Sequence, residues 1–126
     1  MKNLFAVILL MFLLAGCAAS AEAAGYRRIS MDEAVVILEE ESGYILLDVR
    51  TPSEFAQSRI PGAINIPNET LGAAEIPELP DKDQMILVYC RSGNRSKQAS
   101  AKLVNLGYTN VVEIGGIIDY HGEIEI

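Results

Sequence analysis

The apolar and polar positions of the chain fall into short segments whose period changes along the sequence. Leu4 to Leu14 is an apolar run without a charge, too short for a comfortable membrane span. Tyr26 to Ile29 reads as a short edge strand. Ser30-Met31-Asp32-Glu33 has the capping-box pattern of a helix start, and Ala34, Val35, Ile37 and Leu38 give that helix an apolar face ending near Glu39 to Glu41 and Gly43. Tyr44 to Val49 is a buried strand. Thr51-Pro52-Ser53-Glu54 repeats the start signal, with Pro52 suited to the first helical position, and a brief helix through Gln57 follows. Ile60-Pro61-Gly62 reads as a turn, Ala63 to Ile66 as a strand and Asn68 to Ala74 as a weak helix. Ile76 to Lys82, holding Pro77 and Pro80, is a surface connection. Met85 to Tyr89 is the apolar run of a strand buried on both faces, Ser96 to Leu106 a helix stopped by Gly107, and Val111 to Ile114 a last strand before a Gly115-Gly116 turn. Strands alternating with helices predict a single α/β domain with a mainly parallel sheet, whose site lies at the carboxyl ends of the strands.

Cys90 sits at such an end. The loop from Cys90 to Arg95 leads into a helix, and backbone N–H groups without helical partners, aided by the helix dipole, hold negative charge above the sulfur. That lowers the thiol's pKa. Arg91 and Arg95 add positive charge, Gly93 removes a Cβ where the backbone must curl, and Asn94 tolerates a left-handed conformation. Such a thiolate is a strong nucleophile, able to accept a group and pass it on.

The stretch Cys90-Arg91-Ser92-Gly93-Asn94-Arg95-Ser96 resembles the active-site loop of the rhodanese (sulfurtransferase) family. Leu46 to Phe55 followed by Ile60 to Pro67 is similar to the family's amino-terminal signature, and Leu106-Gly107-Tyr108 through Gly115-Gly116-Ile117 to its carboxy-terminal one. The resemblance implies a central, mainly parallel five-stranded sheet flanked by helices on both faces. It also implies sulfane-sulfur transfer from an anionic donor such as thiosulfate, through a persulfide on Cys90, to a thiol or cyanide, with no metal or organic cofactor. On this reading Arg91, Ser92, Gly93, Asn94, Arg95 and Ser96 hold the anionic donor and the sulfur, Arg91 and Arg95 as guanidinium forks. Ser96 is equally suited to capping the helix. Asp48 and Arg50 match the family's Asp-x-Arg pair, and their expected role is an ion pair that pins neighbouring loops. Two positions depart from the family: Ser58-Arg59 replaces a frequent Gly-His, and Tyr120 stands where a tryptophan is usual.

Half of the residues are hydrophobic, and part of that excess sits in the first segment, where Lys2 and Asn3 precede the apolar run as in a secretion signal. The run ends in Leu14-Ala15-Gly16-Cys17, which resembles the bacterial lipobox. Residues 1–16 are then a signal peptide, Cys17 a lipid-modified first residue, 18–25 a short tether and 26–126 the domain, exported and held to a membrane by its lipid. The competing reading is a soluble secreted protein cleaved within residues 18–24. With Cys17 lipidated, Cys90 is the remaining thiol and no intramolecular disulfide can form. The chain carries 10 basic and 17 acidic side chains, which disfavours nucleic acid as a partner. His121, the one histidine, reads as a surface residue beside an acidic tail, and one histidine with one cysteine makes no metal site.

Each candidate has a bland counterpart: Cys90 a buried structural thiol, Arg95 a solvated residue in a first helical turn, Arg91 a surface charge. Three other functions compete. A lipid-anchored sulfur carrier or protein-binding module would use the same fold with little turnover. A cysteine phosphatase or arsenate reductase would need an arginine six places after the cysteine, where this chain has Ser96. A dithiol oxidoreductase would need a Cys-x-x-Cys, which is absent from the sequence.

Overall fold

The computed structural model describes residues 25–72 and 74–126. Residues 1–24, which hold the expected signal peptide, Cys17 and most of the expected tether, lie outside the described residues. Five strands and three helices are described, in the order β1 (Arg27–Arg28), α1 (Met31–Glu40), β2 (Ile45–Asp48), α2 (Pro52–Gln57), β3 (Ile64–Asn65), β4 (Ile86–Cys90), α3 (Asn94–Asn105) and β5 (Val111–Gly116). Both capping boxes form as expected, Ser30 with Glu33 opening α1 and Thr51 with Glu54 opening α2, and Pro52 occupies the start of α2. The segment expected to be a weak helix from Asn68 to Ala74 is a single 3₁₀ turn, Asn68–Thr70. Another such turn spans Ile117–Asp119, directly after β5.

All strands run parallel, in the order β1-β5-β4-β2-β3, so β4 is the middle of the sheet. Every residue of β4 is buried, as a strand covered on both sides must be. Alternation along the strands divides the core in two. Leu47, Ile86, Val88, Cys90 and Val111 point towards Ala99 and Leu103 of α3. Leu46, Leu87, Tyr89, Val112 and Ile114 point towards Met31 and Ala34 of α1. Helices therefore cover both faces, with α3 and Cys90 on the same side.

Two boundaries differ from the sequence-based expectation, and both lie beside the cysteine. First, α3 begins at Asn94 rather than Ser96, with Gly93 at its N-cap in a left-handed conformation (φ +113°). The loop is thus only Arg91 to Gly93. Asn94 is not left-handed, since every positive φ among the described residues belongs to a glycine, and Ser96 is an interior residue of the first turn rather than a cap. Second, β5 does not stop at Ile114 but continues through Gly116. Val88 pairs with Glu113 while Cys90 pairs with Gly116, so β5 holds one extra residue. This bulge puts Gly115 at φ +89°, a conformation that suits glycine.

Candidate active site

Cys90 is the last residue of the central strand and is 1% exposed. Its sulfur accepts the Gly93 N–H at 3.0 Å and lies 3.4 Å from Ser96 Oγ. Burial pushes the thiol's pKa up. Hydrogen bonds from the Ser96 hydroxyl and from the backbone N–H groups of Ser96, Gly93 and Ser92 outweigh it, so the thiol sits below its ordinary value. The expected cradle of loop amides is therefore present in shortened form, within one turn of Cys90. Arg91, Ser92 and Asn94 are exposed around the buried sulfur, and Gly93 is buried beneath them.

The loop is shaped as much by β5 as by α3. A Cβ on Gly116 would stand 2.0 Å from the Arg91 carbonyl oxygen and 2.6 Å from Ser92 Cα, distances at which no side chain fits. Gly116 is in ordinary extended backbone (φ −127°), so close approach alone demands the glycine. Ile118 N–H donates to the Arg91 carbonyl at 3.2 Å and closes the contact from the other side.

The arginines have different surroundings. Arg95 forms a two-pronged ion pair with Glu54 of α2, at 2.7 Å and 3.1 Å. That pairing, against partial burial and with help from Thr51, draws the Glu54 carboxyl down to about 2. The positive charge of Arg95 is thus shared with an acidic partner, which the sequence did not foretell. Arg91 is exposed and makes no ion pair among the described residues.

Asp48 and Arg50 form the expected pair, almost wholly buried, with Nη2–Oδ2 at 2.6 Å. Arg50 Nη2 also donates to the Ser58 carbonyl at 2.7 Å, and Asn65 Nδ2 donates to the carbonyls of Asp48 and Arg50. The pair ties the end of β2 to the segment after α2 and to β3. Among the described residues no hydrogen bond links it to Cys90. Arg59, one of the departures from the family pattern, exchanges backbone hydrogen bonds with Glu125, pairs with its carboxylate at 2.8 Å and lies over the Phe55 ring. Tyr120, the other departure, packs at the rim of the α1-side core.

Sequence reading missed one residue. Glu113 is 2% exposed in the middle of β5, on the α3 side, and its Oε1 lies 2.6 Å from Ser96 Oγ and 2.8 Å from Gly115 N. A charge inside the apolar run Val-Val-Glu-Ile was the available signal. A cavity of about 420 Å³ adjoins the site, lined among others by Arg28, Ser92, Lys97, Glu113 and the exposed His121.

Comparison with known proteins agrees with this geometry. Residues 30–122 match the family model described as rhodanese-like domain. The chain belongs to the rhodanese-like domain family. It is 42% identical over 88 residues to a sulfurtransferase of Allochromatium vinosum, covering 68% of this chain and 80% of the relative. It is 40% identical over 73 residues to thiosulfate sulfurtransferase PspE of Escherichia coli, covering 58% and 70%. Among solved structures, a rhodanese with anions from E. coli superposes with a TM-score of 0.60 at 35% identity, covering 65% of this chain and 96% of the other. The protein is thus an enzyme of the rhodanese sulfurtransferase type, and the cysteine loop, β5 and the Asp48–Arg50 pair all fall inside the matched region.

Proposed function

We propose that this rhodanese takes sulfane sulfur from an anionic donor such as thiosulfate onto Cys90 and passes it to a thiol or to cyanide. The thiolate attacks the outer sulfur of the donor. A new S–S bond forms to Cys90, the donor's own S–S bond breaks, and sulfite leaves with the electron pair. The acceptor then takes the outer sulfur and returns the thiolate. The observation that carries this reading is Cys90 at the end of β4, its pKa held below the ordinary thiol value by the loop's hydrogen bonds. The same N–H groups suit a negatively charged terminal sulfur. Exposed Arg91 is the handle for the donor, with Ser92, Gly93 and Asn94 forming the rim, Arg95 contributing charge from its pair with Glu54 and Ser96 lying against the sulfur. Export and lipid attachment through Cys17 complete the reading, with the sulfur traffic occurring at a membrane surface outside the cytoplasm.

Intact mass of the domain is measured before and after thiosulfate, and again after cyanide, with Cys90→Ser in parallel. The expected result is a gain of one sulfur that cyanide removes as thiocyanate, and no gain in the variant. A chain that stays unmodified with thiosulfate and with a persulfide donor sinks the proposal. Mass of the mature protein isolated from a bacterial membrane tests the anchor, with diacylated Cys17 expected as the first residue.

A further inference from the structure

Ser96 has one hydroxyl proton and stands between two acidic groups. Its Oγ is 2.6 Å from Glu113 Oε1, 2.9 Å from the Gly93 carbonyl and 3.4 Å from Cys90 Sγ. An O–H···O⁻ contact of about 2.6 Å is charge-assisted and stronger than the alternatives. With a neutral thiol, therefore, Ser96 donates to the Glu113 carboxylate, and the Cys90 S–H donates to Ser96. A hydrogen bond from Ser96 onto the thiolate needs the same hydroxyl proton turned the other way. Ser96 can donate to the thiolate and keep its 2.6 Å hydrogen bond with Glu113 only when Glu113 holds a proton of its own.

We infer that Glu113 receives the Cys90 proton through Ser96, so that the pair shares one proton and the thiolate forms without leaving two buried anions side by side. The S–H bond breaks with its electron pair left on sulfur, Ser96 Oγ takes that proton, and the hydroxyl's own proton passes to Glu113 Oε1. Nothing is oxidised or reduced. One negative charge moves from carboxylate to sulfur. Glu113 is a positioning residue in this scheme, since it reaches the reacting sulfur only through Ser96. The inference rests on reading Cys90 as the nucleophile, and it names the internal base that such a nucleophile lacks elsewhere in the site: His121 is exposed, and Glu54 is held by Arg95.

Glu113 also has structural work. It accepts the Gly115 N–H at the bulge and an Arg28 contact at 3.3 Å from β1. Asp32 of α1, Lys97 of α3 and the C-terminal Asp119 and His121 line the cavity it adjoins, while Arg91 and the Arg95–Glu54 pair flank the cysteine. A test must separate the proton from the scaffold. Glu113→Gln keeps an acceptor for Gly115 and Ser96 but cannot take the proton.

The decisive experiment is the rate of iodoacetamide alkylation of Cys90 against pH, with infrared difference spectra of the same samples. A proton-sharing pair titrates in two macroscopic steps. The wild type should therefore show a stretch of nearly constant reactivity between the two steps, with protonated-carboxyl absorbance rising as the S–H band falls. Glu113→Gln should show one titration, its rate falling about tenfold per pH unit on the acid side as thiolate is lost. Ser96→Ala, which leaves the carboxylate its Gly115 and Arg28 contacts, should lose the constant stretch too and decides between the outcomes if Glu113→Gln does not fold. Histidine changes charge between about pH 5 and 8, so His121→Asn is run in parallel and should keep the wild-type profile. A single-step wild-type profile, or a constant stretch that survives in Glu113→Gln or Ser96→Ala, overturns the inference. Alkylation does not require sulfur transfer, so failure of the proposed function, seen as no mass gain from thiosulfate, is read separately.

Discussion

At the scale of single residues the site depends on a few positions with no slack. Asp48 and Arg50 are both buried, and removing the acid leaves a guanidinium without its partner inside the protein. Asp48→Asn should cost about 3–5 kcal/mol, as broken buried pairs do, read as a lower urea midpoint. Arg91 is the opposite case, exposed and unpaired among the described residues. Arg91→Ala should raise KM for thiosulfate about tenfold, equivalent to ~1.4 kcal/mol, and leave kcat nearly unchanged, the pattern of lost uniform binding. Steady-state kinetics with cyanide as acceptor reads both constants. At Gly116 even one methyl has nowhere to go. Gly116→Ala should lower kcat/KM about a hundredfold by moving the loop while costing only about 1–3 kcal/mol of stability.

At the scale of elements, the ion pair between Arg95 and Glu54 joins the first turn of α3 to α2. Glu54 ordinarily titrates at 4.5 and is drawn down to about 2 in the fold. A depressed carboxyl stabilises the fold above its unfolded value and stops doing so as pH falls through the folded one. Glu54→Gln, which can still close the capping box, should therefore lose about 1 kcal/mol at neutral pH after allowing for solvent screening. That difference from wild type should shrink between pH 4.5 and about 2 in urea titrations. Much of this level was legible beforehand. The capping boxes at Ser30 and Thr51 and the apolar run before Cys90 each carry their own physical signal, and each element formed where the signal lay. What went unread depended on partners far away in sequence. Asn94 and Arg95 look like loop residues until Glu54 is seen opposite them. Gly115-Gly116 looks like a turn until the bulge is seen against β4. Glu113 breaks an apolar strand, and Arg28 of β1, Ser96 of α3 and the Gly115 N–H at the bulge together explain why a charge is tolerated there.

At the scale of the whole molecule, the two halves of the core share one sheet, so neither can melt alone. The described domain should unfold in a single step. With five tyrosines and no tryptophan, tyrosine fluorescence and far-ultraviolet circular dichroism should give coincident urea transitions. The strand order adds a consequence in time. Arg27 and Arg28, near the start of the described chain, pair with Val112 and Glu113, near its end, and the central strand gains its second neighbour only from that same last segment. During synthesis Cys90 therefore leaves the ribosome well before the strand that completes its surroundings. A nascent or clipped chain ending short of Val111 carries the thiol without Glu113, without the bulge and without Gly116, the glycine that seats the loop. The surroundings of Cys90 are complete only once β5, the last strand, has paired with β4.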